Sequence, residues 1–162
     1  MFLEAKNALI FKKGNETLMI EPWGENSLRV RSTLDPNFID RDWALTEKIN
    51  HGNAKVSVTE NGASIINGKI EAKVNNNGII TFYKDGVRIL HEYHRSYDPS
   101  ATKESCCTKV INRQWQGIIG GDYKLSVRFE SNDSEKIFGM GQYQTPYLDM
   151  KGCFLELAQR IG

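Results

Sequence analysis

The chain has 162 residues, 40% of them hydrophobic and 25% charged, with 21 basic and 20 acidic groups leaving a formal net charge of +1. That length suits one domain able to bury roughly 70% of the surface its unfolded form exposes. The mixed charges exclude a basic face for nucleic acid or anionic lipid, and no apolar run approaches the ~20 residues of a membrane-spanning helix.

The opening MFLEAKNALIFKKG places Glu4 and Lys6 before a brief apolar run and has no small-residue cleavage site, so no secretory signal is expected. TLMIEPW and SLRVRST flank Gly24-Glu25-Asn26, with Leu28 and Val30 alternating against Arg29 and Arg31. This predicts a hairpin with one wet face, on which Arg29 and Arg31 are solvated. AKVSVTE meets ASIIN across Asn61-Gly62, KIEAKVN follows Asn67-Gly68, and GIITFYK follows Asn75-Asn76-Asn77-Gly78. Asp85-Gly86 then turns into VRILHEY. Asn-Gly and Asp-Gly pairs suit hairpin turns because both residues tolerate positive φ.

DYKLSVRFE, after Gly120-Gly121, sets Leu125, Val127 and Phe129 on one face and Arg128 on the other. The stretches from Leu34 to Asn53 and from His94 to Gly121 are less regular. The second is too long for a structureless loop, so it is either a functional excursion or hides a strand around CTKVINRQW. Period-two alternation with closely spaced turns predicts one all-β domain over residues 1–162, an antiparallel sandwich or barrel.

Chemical motifs are sparse. In HEYH, His91 and His94 are three apart and would point to opposite faces of a strand, so no metal is expected. Gly139-Met140-Gly141 lacks the third glycine and the βαβ setting of a dinucleotide loop. No nucleophile elbow is present, and no cofactor is expected. Cys106 and Cys107 are adjacent and Cys153 is distant, so three free thiols and a reducing, cytoplasmic setting are expected. Trp23, Trp43 and Trp115 could stack on sugar rings, although aromatics in a sandwich usually fill its core. Trp43 and Trp115 are the candidates for sugar stacking.

The segment FGMGQ (Phe138 to Gln142), LDMKG (Leu148 to Gly152) and ELAQR (Glu156 to Arg160) resembles the N-terminal β-domain of glycoside hydrolase family 31, the family of α-glucosidases and α-xylosidases. Upstream, MIEPWGENSLRVR (Met19 to Arg31) and DWAL (Asp42 to Leu45) are similar to family segments in the same order. The resemblance implies a galactose-mutarotase-like β-sandwich preceding a (β/α)₈ barrel. That barrel would supply an aspartate nucleophile and an aspartate acid/base for retaining cleavage, which needs two carboxyl groups about 5–5.5 Å apart.

Asp149-Met150 shares a D-M pair with the family's nucleophile sequence but sits in LDMKG, so no catalytic residue is expected here. The resemblance places Gln159 and Arg160 as rim residues of the substrate pocket. Ile161 stands where the family has Asp or Asn, a departure that puts a subsite role at the terminus in doubt. The implied partners are a catalytic barrel of the parent chain and an α-linked glucoside or xyloside oligosaccharide, with no nucleic acid and no membrane. The sandwich is expected to be incomplete at its C-terminus, and self-association of such a fragment is plausible.

Two other readings stand beside this one. They are a self-standing carbohydrate-binding sandwich that uses its tryptophans, and a structural or oligomerisation module. Phe138, Leu155 and Leu157 are expected to be buried, and Gly139 or Gly141 to adopt a backbone conformation other residues avoid.

Overall fold

The structure, a computed structural model, describes residues 1–39, 52–97, 109–139 and 148–155. It divides into two compact units, Met1–Glu130 and Ser131–Gly162. Among the described residues there is no helix, and every strand pair is antiparallel.

The described residues of the first unit form eleven strands. A four-stranded sheet runs in order through β1 (Phe2–Ala5), β2 (Ala8–Lys13), β3 (Glu16–Pro22) and β4 (Leu28–Thr33). A five-stranded sheet follows with β5 (Lys55–Thr59), β6 (Gly62–Asn67), β7 (Ile70–Asn75), β8 (Ile80–Lys84) and β9 (Val87–His91). A two-stranded ribbon comprises β10 (Arg113–Gly117) and β11 (Tyr123–Val127).

Turn chemistry fixes the register of these meanders. Two-residue turns close β1–β2 and β8–β9, where Lys6 and Asn7 (φ 47° and 66°) and Asp85 and Gly86 (φ 49° and 81°) all take positive φ. Such turns match the right-handed twist of the flanking strands. The β1–β2 hairpin went unread in the sequence because its turn carries a lysine where glycine or asparagine would announce it. Between β8 and β9 the register shifts at Phe82/Tyr83, leaving Ile89 as the extra residue of a bulge.

Alternation then decides burial. Leu9 and Phe11 of β2 and Leu18 and Ile20 of β3 face Ala63 and Ile65 of β6, Ala72 and Val74 of β7, and Ile80 of β8 in one buried cluster. Leu18, Ile20, Ile65 and Ala72 have no solvent exposure. Each large aliphatic side chain buried this way stabilises the sandwich by about 1.5–3 kcal/mol. Gly78 (φ +82°) lets its loop pass the Phe11 ring, because a Cβ there would lie 2.5 Å from a ring carbon. At one end of the sandwich the buried Asn67 side chain donates to the carbonyls of Gly24 (2.9 Å) and Ser27 (2.8 Å), docking the β3–β4 turn onto β6.

The solvated face expected for β4 is not found. The side chains of Arg29 and Arg31 are only 21% and 18% exposed, whereas Val30 between them is 40% exposed. Glu21 on β3 pairs with Arg31 at 2.9 Å and lies 3.7 Å from Arg29. The two guanidiniums also lie over the rings of Phe38 (5.0 Å) and Trp23 (4.3 Å). A carboxylate and two aromatic faces thus draw the arginine stems down onto the sheet. Arg128, also expected on a solvated face, is half-buried and donates to the Ile111 carbonyl and to Gln114.

In the second unit Asp149 organises the chain. One carboxylate oxygen accepts the amides of Ile137 (3.0 Å) and Lys151 (3.1 Å), and Met150, buried beside them, donates its own amide to the Ile137 carbonyl at 2.8 Å. Gly139 takes φ +105°, as expected for one of the two glycines around Met140; Gly141 lies outside the described residues. Phe138 is 57% exposed, against the expectation of burial, and Leu155 is half-buried. Leu157 lies outside the described residues.

Candidate functional site

Of the residues singled out in the sequence, Trp43, Gln159 and Arg160 lie outside the described residues. Trp115 is placed on β10, half-buried, with its ring edge-on to Tyr123 at 6.0 Å between centroids. The two belong to one face of the ribbon, since Trp115 stands opposite Leu125 and Tyr123 lies two positions before Leu125 along β11. His91 closes β9 with its Nδ1 2.7 Å from the Thr81 hydroxyl, and no cluster of three or more metal-ligating side chains occurs among the described residues.

The most organised polar assembly was not legible in the sequence. Arg113, at the start of β10, sits between two carboxylates. Its NH1 donates to both oxygens of Glu92 (2.5 and 2.6 Å), its Nε to Glu16 on β3 (2.7 Å), and its NH2 to the Gly78 carbonyl (2.7 Å). Glu92 also accepts from the Ile80 amide (2.9 Å) and the Asn112 side chain (2.6 Å), and Ser32 of β4 donates to Glu16 (2.7 Å).

Burial on its own would push the Arg113 pKa down. The Glu92 charge and the hydrogen bonds to Glu16 and Glu92 outweigh it and hold the pKa above the ordinary arginine value. Glu92, Asn112 and Arg113 are all buried, so this is a dry, fully bonded network spanning both sheets and the ribbon. Residues at positions 16, 92 and 113 carry no spacing signal; a lone glutamate inside HEYH was the only hint.

A second polar array lies on the outer face of the five-stranded sheet. Register aligns Ser57, Ser64, Lys73, Thr81 and His91 in one row across β5 to β9. Beside it a groove of about 380 Å³ opens, lined by Ser57, Thr59, Ser64, Lys73, Asn75 and Thr81 among others. Gly62 also lines it (φ +149°), where a Cβ would approach the Val74 carbonyl to 2.4 Å. Lys73 pairs with Glu71 (3.5 Å) and lies over Tyr83 (4.8 Å). Hydroxyls and a balanced ion pair of this kind can hydrogen-bond a neutral polyhydroxylated ligand, but they offer neither a nucleophile with a base nor a pair of free carboxylates.

No family model matches the chain. It is 37% identical, over an alignment of 169 residues, to a protein of Pseudescherichia vulneris described as an uncharacterized family 31 glucosidase, ORF2. That match covers 98% of this chain and 31% of the relative. Among solved structures it is similar to a GH31 α-xylosidase from a soil metagenome, complexed with xylose. The TM-score is 0.85 at 40% identity, over 99% of this chain and 25% of that one. The family 31 resemblance read from the motifs is therefore borne out in sequence and in fold, as is the all-β sandwich. The chain spans less than a third of the length of either protein.

Proposed function

We propose that this chain, a family 31 β-sandwich in sequence and fold, is the non-catalytic N-terminal domain of an α-glycosidase. The parent protein hydrolyses α-glucosides or α-xylosides with retention, and this domain packs on its (β/α)₈ barrel and rims the active site, with Gln159 and Arg160 as candidate rim residues. The observation that carries the reading is the 99% coverage of this chain by one quarter of an α-xylosidase at a TM-score of 0.85.

The chemistry of the described residues agrees with a supporting role. Retaining cleavage needs two carboxyl groups facing each other across the bond to be broken. The two carboxylates that converge here, Glu16 and Glu92, are both committed to Arg113. Asp149 spends one oxygen on two backbone amides, which lower its pKa. The exposed free thiol of Cys153 suits a cytoplasmic setting.

The experiment is a turnover assay with aryl α-xyloside and aryl α-glucoside. The purified chain is expected to release no aryl alcohol, while a full-length parent containing it does. Turnover by the chain alone, abolished by changing one of its own carboxylates, overturns the reading. The groove beside Gly62 favours a second reading, a sandwich that binds carbohydrate by itself, which saturable binding of a xylo- or malto-oligosaccharide to the isolated chain would support.

A further inference from the structure

The β10–β11 ribbon is divided cleanly by its pleat. Ile111, Trp115, Tyr123, Leu125, Val127 and Phe129 fall on one face, and Asn112, Gln114, Gln116, Lys124, Ser126 and Arg128 on the other. Patterning of this kind normally marks a strand pair whose apolar side is packed on something. Beyond the buried Arg113 and the half-buried Trp115 that side stays open: Tyr123 is 49% exposed, Val127 41% and Leu125 37%, and Ile119 at the ribbon's tip is fully exposed. A two-stranded ribbon has little stability of its own, so an open apolar face on one is costly unless it has a use.

The ribbon's base is firmly held. Arg113 is the one polar residue on the apolar face, and it is locked between Glu16 and Glu92. Past β9, Tyr93 donates to the Arg128 carbonyl (2.8 Å) and Glu130 to the His91 carbonyl (2.8 Å), tying β11 to the end of the five-stranded sheet. An apolar surface fixed in this way is pre-organised for docking, because little orientational entropy is lost when it is covered.

We propose that the apolar face of the ribbon is the docking surface for the remainder of a family 31 chain, the part of the relatives that lies outside the match. The proposal rests on the domain reading above. Its occupant follows from length: this chain matches only 31% and 25% of the two relatives, so most of each protein is available to cover the face. Apart from Arg113, whose charge is paired with Glu16 and Glu92 at the base, the face carries no charged side chain, and Lys124 and Arg128 fall on the other side, which calls for an apolar partner surface.

The test compares the isolated chain with a chimera in which it replaces the matched segment of the Pseudescherichia vulneris protein. In hydroxyl-radical footprinting, labelling of Tyr123, Leu125 and Val127 is expected to fall severalfold in the chimera. Leu125→Lys is expected to leave the melting midpoint of the isolated chain unchanged and to lower that of the chimera by roughly 2–4 °C. Lys124→Gln, on the opposite face, changes neither. Equal labelling in chain and chimera overturns the proposal while leaving the domain reading intact if the chimera turns over aryl α-glycoside. A folded chimera without turnover counts against the domain reading instead. Sedimentation showing a dimer of the isolated chain that Leu125→Lys dissolves would replace the proposed occupant with a second copy.

Discussion

The sandwich interior and the β10–β11 ribbon are written in the same alternating pattern and end in opposite states. Leu18 and Ile20 on β3 lose all their solvent exposure, while Leu125 and Val127 on β11 keep 37% and 41% of theirs. Both regions have strands of apolar-polar period two and both are closed by glycine-containing turns. They differ only in what lies opposite. β3 is covered by a second sheet, whereas the ribbon is tied to the sheets at its base through Arg113 and leaves Leu125 and Val127 exposed. Period two therefore reports which face is meant to be covered and is silent on what covers it.

The strongest way to break this comparison acts at the junction between the two regions. Arg113→Ala would leave Glu92 buried without its counter-charge, a change that typically costs about 3–5 kcal/mol. Urea unfolding is expected to show a midpoint lowered accordingly with an unchanged slope. A loss below about 1 kcal/mol would mean that the network is incidental to the attachment of the ribbon.

Next comes a matched pair of truncations. Ile20→Ala, inside the sandwich, is expected to destabilise by about 2–5 kcal/mol. Leu125→Ala, on the ribbon, should stay within about 0.5 kcal/mol in the isolated chain. Similar costs at the two positions would show that the ribbon's face is covered after all.

Gly62→Ala probes the outer surface of the same sandwich. The new methyl group would meet the Val74 carbonyl at 2.4 Å, in a backbone conformation that strains residues other than glycine by about 1–3 kcal/mol. A thermal melt is expected to show a drop intermediate between those of Ile20→Ala and Leu125→Ala, and an unchanged midpoint would mean that the strand shifts freely.

The smallest effect is local and lies in the second unit. The Asp149 carboxylate has its pKa lowered from the ordinary 3.8, first by the Ile137 amide and then by that of Lys151. A depressed pKa in the folded state means that its contribution is complete above the ordinary value and is lost as pH falls through the lowered one. The Ile137 and Lys151 amides, followed by nuclear magnetic resonance, should therefore keep their shifts near pH 5 and move only below the ordinary aspartate range. Movement at higher pH would exclude Asp149 as their acceptor.

Much of the sandwich was legible because its turns name themselves. Asn61-Gly62, Asn67-Gly68 and Asp85-Gly86 bracket strands that the structure places as expected, and the strand hidden near CTKVINRQW is β10. What escaped was whatever depends on partners distant in sequence. Arg29 and Arg31 read as solvated because their pattern cannot reveal Glu21, Trp23 and Phe38 around them. The Glu16–Arg113–Glu92 network joins three separate parts of the chain, and no local pattern encodes it. Phe138 read as core because it is aromatic within a motif, yet the motif's hold on the backbone comes from Asp149. For the sites, Trp115 alone of the proposed sugar-contacting residues falls among the described residues, and its ring is set against Tyr123.

The bulge on β9 has a consequence for how the molecule behaves in a crowded solution. An open strand edge offers an alternating row of amide donors and carbonyl acceptors, the template on which a stray strand can add and seed aggregation. On β9 the extra residue, Ile89, breaks that rhythm beside the charged Arg88, and a bulge also increases the local twist. An incoming strand that pairs with one side of Ile89 is thrown out of step on the other. One surplus isoleucine, half-exposed and of little value to packing, thereby guards the sheet against growth by fibril-like addition.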